Sequence, residues 1–230
     1  MKCVILQPSY IPWRGYFHQI QKADLFIFYD DVQYDSRGWR NRNRIRTPNG
    51  SSWITIPIDH SRFKSHKSLI SEVYISWEKR WNEAHQRQIE NSYRKAPFYN
   101  HYRDLLEEIY SKRPEKLADF TIETTILLAR ELGIGDTRFM RSSECDLDGS
   151  KTDRLLMLLK HVGATHYISG PSAKDYMDEE KFGEAGITFE YVNYDYPEYP
   201  QLYLPFDPQV TILDLLLMVG PDAGRYIWNT

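Results

Sequence analysis

Cysteine is scarce in this chain: Cys3 and Cys145 are its only two in 230 residues. That count excludes a disulfide-dense scaffold, and Met1-Lys2 leads straight into a strand-like run with no charged-then-apolar leader. A reduced, cytoplasmic protein is the expectation, with Cys3 as a small core residue and not a nucleophile. Long apolar runs are missing too. The longest, around residues 212–219, is interrupted by Asp214, so no membrane insertion is expected.

Charge of one sign is not in excess either. A formal net charge of -3 and a pI near 6.2 argue against general duplex binding, which needs a clustered basic face, and no nucleic-acid partner is expected. His161 and His166 flank a helix end without the cysteine or carboxylate spacing of a zinc site, so no metal site is expected. There is no GxSxG, no GxxxxGK[ST] and no dinucleotide glycine fingerprint. No cofactor is called for, and no repeat or low-complexity tract is present.

What is abundant is aromatic: 14% of residues, with 17 Tyr and 6 Trp. Tyrosine and tryptophan join a flat apolar face to a polar edge, which suits sugars and nucleobases as well as cores.

The pattern of elements is α/β. An apolar strand at residues 2–6, a helix at 13–22 and a second strand starting after Asp24 form a βαβ unit. Residues 39–57 alternate with period two around Pro48-Asn49-Gly50, an antiparallel hairpin. After a short run at 72–75, helices are expected at about 76–95, 97–112 and 114–132, then strands at 137–141, 165–168 and 187–193 with helices at 151–161 and 178–185 between them. Residues 194–208 are too rich in proline for regular structure, and 212–219 forms a last apolar helix. The expected architecture is one α/β domain over residues 1–230: a Rossmann-like, mostly parallel sheet with a β-hairpin insertion and a helical middle section at about 76–133. Its ligand would lie outside the carboxyl ends of the strands.

Three strand ends then matter: Gln7-Pro8-Ser9-Tyr10, Asp30-Asp31 with Gln33 beyond, and Ser169-Gly170-Pro171-Ser172. Adjacent carboxylates on an extended backbone face opposite ways, so one of Asp30 and Asp31 would act as a base or hold Mg²⁺ while the other caps a turn. Arg40, Arg42, Arg44 and Arg46 are spaced by two, which on a strand aligns all four on one face opposite Asn41, Asn43 and Ile45. Such a row suits a nucleotide diphosphate or an acidic carrier protein. The loop at Ser169-Gly170 can present backbone N–H groups to a phosphate. His18, His85, His161 and His166 are candidate bases, with His18 favoured for its place in the first helix. Candidate catalytic residues are therefore His18, Asp30 and Asp31. Candidate substrate contacts are Gln7, Tyr10, Trp13, Gln33, Arg42, Asn43, Arg44, His85, Ser169, Gly170, Tyr176 and Gln201.

The segments LQPSYIPWRGYF, ADLFIFYDDVQY, RNRI with its hairpin, VGATHYISGPSAKDY and YPQLYLPFDPQVTILDLL, in this order, resemble the WbqC-like protein family. The resemblance covers nearly the whole chain. It implies a role in bacterial surface-polysaccharide (O-antigen) assembly: N-acylation of a nucleotide-linked amino sugar with an aminoacyl group such as glycyl, delivered as a thioester on an acidic acyl carrier protein. Asn43, Arg42 or backbone N–H groups near Gly170 would then face the developing oxyanion. Two other readings stay open. Pro12-Trp13-Arg14-Gly15-Tyr16 is similar to the HxGH element of nucleotidyltransferases and adenylate-forming ligases, with Trp13 and Tyr16 in the two histidine positions, and a non-catalytic sugar-nucleotide binding protein is the third.

Overall fold

The computed structural model describes residues 1–63, 67–149, 151–175 and 177–228. In chain order the elements are β1 Lys2–Leu6, α1 Arg14–Lys22, β2 Leu25–Phe28, β3 Arg42–Thr47, β4 Gly50–Thr55, α2 Trp81–Tyr93, α3 Tyr99–Ser111 and α4 Leu117–Glu131. Then come β5 Arg138–Arg141, α5 Lys151–His161, β6 His166–Ser169, α6 Glu179–Glu184, β7 Thr188–Tyr191 and α7 Ile212–Val219.

Apolar residues run without a break from Cys3 to the end of β1 and through β2 because both faces of these strands are covered, the condition a parallel sheet imposes. Val4, Phe26 and Phe28 enter one core with Phe17 and Ile20 of α1, the helices α2–α4 and α7. Cys3, Ile5, Leu25 and Ile27 enter a second core with Leu155, Leu158 and Leu159 of α5 and Phe182 of α6. Cys3 and Cys145 are both buried and free.

The five parallel strands lie in the order β5-β2-β1-β6-β7. The chain leaves β1 towards β2 on one side, and after β5 it crosses to β6 on the other. The carboxyl ends of β1 and β6 therefore diverge into different connections, which opens a crevice between them. β3 and β4 form a separate antiparallel hairpin.

The helical section begins at Trp81, five residues later than the sequence pattern suggests. Residues 74–77 are instead pulled into hydrogen bonds with distant backbone: Ile75 N–H donates to Glu115 O (2.8 Å) and Ser76 N–H to Pro57 O (2.9 Å). No helix among the described residues is long and apolar enough to cross a membrane.

Candidate functional site

The loop that leaves β1 is held from several sides. Ile11 lies at φ 40°, a left-handed conformation that a β-branched residue avoids. Asn43 Nδ2 donates to Tyr10 O (3.0 Å) and Ile11 O (2.8 Å), Tyr10 N–H donates to Trp39 O (3.0 Å), and Ile212 N–H donates to Pro12 O (2.8 Å). The Tyr16 hydroxyl closes the turn on Gln7 O at 3.1 Å. Each anchor comes from a different element, so the loop is fixed by the fold and not by its own sequence.

This loop forms the floor of a cleft of about 1470 Å³ between the carboxyl ends of β1 and β6. Gln7, Ser9, Trp13, Gln19, Ser169 and Gly170 line it on one side, Trp39, Arg40 and Asn43 on another, and Tyr194, Asp195, Tyr196 and Glu198 form a third wall. Trp13 is wedged edge-on to Tyr194 (5.0 Å between ring centres) and Tyr196 (6.1 Å). Gly15 leaves room for the indole: a Cβ there would stand 2.4 Å from the ring.

Three cations reach the cleft, and they differ in what they already hold. Arg14 is buried, donates to Pro197 O (2.7 Å) and Tyr226 O (3.2 Å), and lies over the Tyr196 ring at 4.8 Å. Lys151 begins α5 at the cleft edge. Arg40 makes no hydrogen bond or ion pair to a described residue, and burial pushes its guanidinium pKa down. A desolvated guanidinium without an internal acceptor is suited to an anionic ligand. His18 approaches the cleft indirectly, with Nδ1 at 2.8 Å from the Tyr196 hydroxyl, and burial together with Lys22 lowers its pKa below 6.5.

Residues 7–226 match the family model of the WbqC-like protein family. The chain belongs to that family. Among curated proteins, "Uncharacterized protein Rv1507c" of Mycobacterium tuberculosis (strain ATCC 25618 / H37Rv) is 42% identical over 229 residues, covering 98% of this chain and 97% of that protein. No solved structure matches.

The cleft of this WbqC-like protein brings together Gln7, Trp13, Asn43, Ser169 and Gly170 of the residues anticipated from the sequence. Asn43 stands in the wall with its amide already spent on backbone: besides the two carbonyls, its Oδ1 accepts from Arg44 N–H at 2.8 Å. Asp30 and Asp31 lie off the cleft. Asp30 is fully buried and accepts from Ser143 N–H (3.0 Å) and Oγ (2.9 Å), while Asp31 accepts from Ser142 Oγ (2.5 Å) and from Arg154. They tie the end of β2 to the turn after β5.

Tyr10 and His85 are core residues here, because the Tyr10 hydroxyl meets His85 Nδ1 at 2.9 Å and the Tyr110 hydroxyl at 2.7 Å. The arginine row is corrected as well. Arg46 is buried beneath residues 203–205, donating to Tyr203 O (2.6 Å) and Pro205 O (2.8 Å), and Arg40 precedes the strand, so the four do not form one basic face. Arg42 lies over the Trp53 ring at 4.6 Å, and Arg44 binds Gln209 Oε1 at 2.9 Å. Gln33 bridges to Leu69, and Gln201 donates to Asp214 Oδ2 at 2.7 Å in a buried cluster. Tyr176 is outside the described residues.

Ser9, within the first strand end singled out from the sequence, does line the cleft, whereas sequence reasoning missed Gln19, Lys151, Tyr194 and Tyr196. The signal for the last two was present in YDYPEYP: tyrosines set among prolines, which cannot donate to a ladder, shortly after a strand.

Proposed function

We propose that the protein is an N-acyltransferase that moves an aminoacyl group, such as glycyl, from a carrier-protein thioester to the amine of a nucleotide-linked sugar in bacterial surface-polysaccharide assembly. The observation that carries this reading is the cleft itself. Single small-molecule sites occupy about 300–1000 Å³, and this cleft, at about 1470 Å³, has room for a sugar nucleotide and the end of an acyl-bearing arm together. Arg40 and Lys151 supply positive charge for a diphosphate, and Trp13 and Tyr196 supply aromatic faces. Family membership supports the reading at a coarser level.

In the reaction the sugar nitrogen attacks the acyl carbon, the new C–N bond forms, and the C–S bond breaks to release the carrier thiol. The ammonium proton has a path to His18. Tyr196 passes its own proton to Nδ1 as it accepts one from the nitrogen, and the lowered His18 pKa keeps that imidazole neutral and receptive at pH 7. Holding two partners in one crevice supplies much of the remaining acceleration.

The test is mass spectrometry of nucleotide-linked amino sugars incubated with the protein and an aminoacyl carrier. A gain equal to the aminoacyl residue is expected, with a rate that falls on acidification below pH 6.5 and a limb that disappears in His18→Ala. ATP-dependent pyrophosphate release with no carrier requirement would replace this reading with the ligase one, and tight binding without turnover for any donor would leave a binding protein.

A further inference from the structure

Gln19 lines the cleft and carries an unanswered acceptor. Its side chain is only 3% exposed, its Nε2 donates to the Tyr194 hydroxyl at 2.5 Å, and its Oε1 is buried with no partner. That hydrogen bond also fixes the role of Tyr194. Because the phenol oxygen accepts from Gln19, its single O–H must point elsewhere, and no protein acceptor for it is found among the described residues. Burial raises the Tyr194 pKa to about 12, so the proton stays on. Gly170, at the carboxyl end of β6, lets this arrangement close over the backbone: a Cβ there would stand 3.0 Å from the Tyr194 hydroxyl.

The pair therefore offers a ligand one acceptor and one donor side by side, both neutral, against the edge of Trp13. A diphosphate has acceptors only and leaves Oε1 unanswered. A nucleobase edge carries a donor next to an acceptor on a flat ring, and a flat ring is what aromatic walls admit. We propose that Gln19 Oε1 and the Tyr194 hydroxyl, over Gly170, seat the nucleobase of the nucleotide-linked substrate. This rests on the proposed function only for its nucleotide-linked substrate, and it leaves Arg40 and Lys151 to the diphosphate.

The full chain is titrated with UDP, TDP, GDP, ADP and CDP, with inorganic pyrophosphate, and with an amino-sugar 1-phosphate, and melting curves control for folding. At least one nucleoside diphosphate is expected to bind tenfold or more tightly than pyrophosphate. Tyr194→Phe, which keeps the ring against Trp13, and Gln19→Leu each remove about tenfold of that advantage, the loss of one buried hydrogen bond to a ligand, and leave pyrophosphate binding unchanged. If both folded variants keep the full nucleoside advantage, or lose affinity for the sugar phosphate instead, the base seat is wrong while the acyltransferase reading stands. If no nucleoside diphosphate binds at all, both fall together.

Discussion

Ile11 carries the sharpest local conflict in the molecule. A non-glycine residue at φ 40° costs of the order of 1–3 kcal/mol, and such a conformation persists only where its surroundings over-determine it. Here the Asn43 amide does much of that, answering the carbonyls of the two peptides that flank Ile11 from a site 3% exposed. Asn43→Ala leaves those two carbonyls without their donor and is expected to cost about 2–3 kcal/mol. In a chain of this length that lowers the melting temperature by roughly 5–10 °C. It should also weaken ligand binding at the cleft floor, since Ser9 and Trp13 flank the released turn. A variant that melts with the native protein would show that the turn holds without Asn43.

At the scale of elements, the same loop is riveted to the helical section through Tyr10. Its hydroxyl meets His85 of α2 and Tyr110 of α3, so one side chain joins the exit of β1 to two helices. Burial pushes the His85 imidazole down to about 4, against a smaller opposing pull from the Thr55 carbonyl. An unfolded histidine titrates near 6.5, so folding keeps His85 neutral where the unfolded chain would take a proton. Its contribution is intact above pH 6.5 and is lost as pH falls towards 4, about 3 kcal/mol in all. Melting temperature measured from pH 7 to 4 should fall more steeply for the native protein than for His85→Gln, and parallel curves would rule His85 out as the source. The elements themselves were legible in the sequence. α5 and α7 span the residues their periodicity suggests, and β1 and β2 are the apolar runs read between turn signals. What the sequence did not disclose is where a polar aromatic spends its hydroxyl. Tyr10, read as a pocket residue, faces inward, whereas Tyr194 and Tyr196, read as irregular chain, face the cleft. That choice depends on which distant elements fold beside each ring, and no local pattern encodes it.

Across the whole molecule, residues 194–211 make the cleft wall and the closure of the fold the same structure. From β7 they run to α7, meeting Arg14 at Pro197, Arg46 at Tyr203 and Pro205, and Arg44 O through the Thr211 N–H (3.0 Å). Arg14 is the pin at the cleft end, since it also reaches the Tyr226 carbonyl and lies over Tyr196. Arg14→Met keeps the apolar stem and removes two charge-assisted bonds, a loss of about 2–4 kcal/mol. The consequence should be local before it is global. Limited digestion with chymotrypsin is expected to cut within residues 194–206 of the variant at temperatures where the native chain resists, and affinity for the proposed nucleotide-linked ligand should fall with it as Tyr194 and Tyr196 lose their backing. Arg46→Met removes the other pin, under Tyr203, and should expose the same segment to protease with a smaller effect on affinity, because neither Arg46 nor Tyr203 lines the cleft. Equal affinity losses in the two variants would mean that the segment moves as one rigid piece, and resistance of Arg14→Met to cleavage would mean that its aromatic packing alone holds the wall.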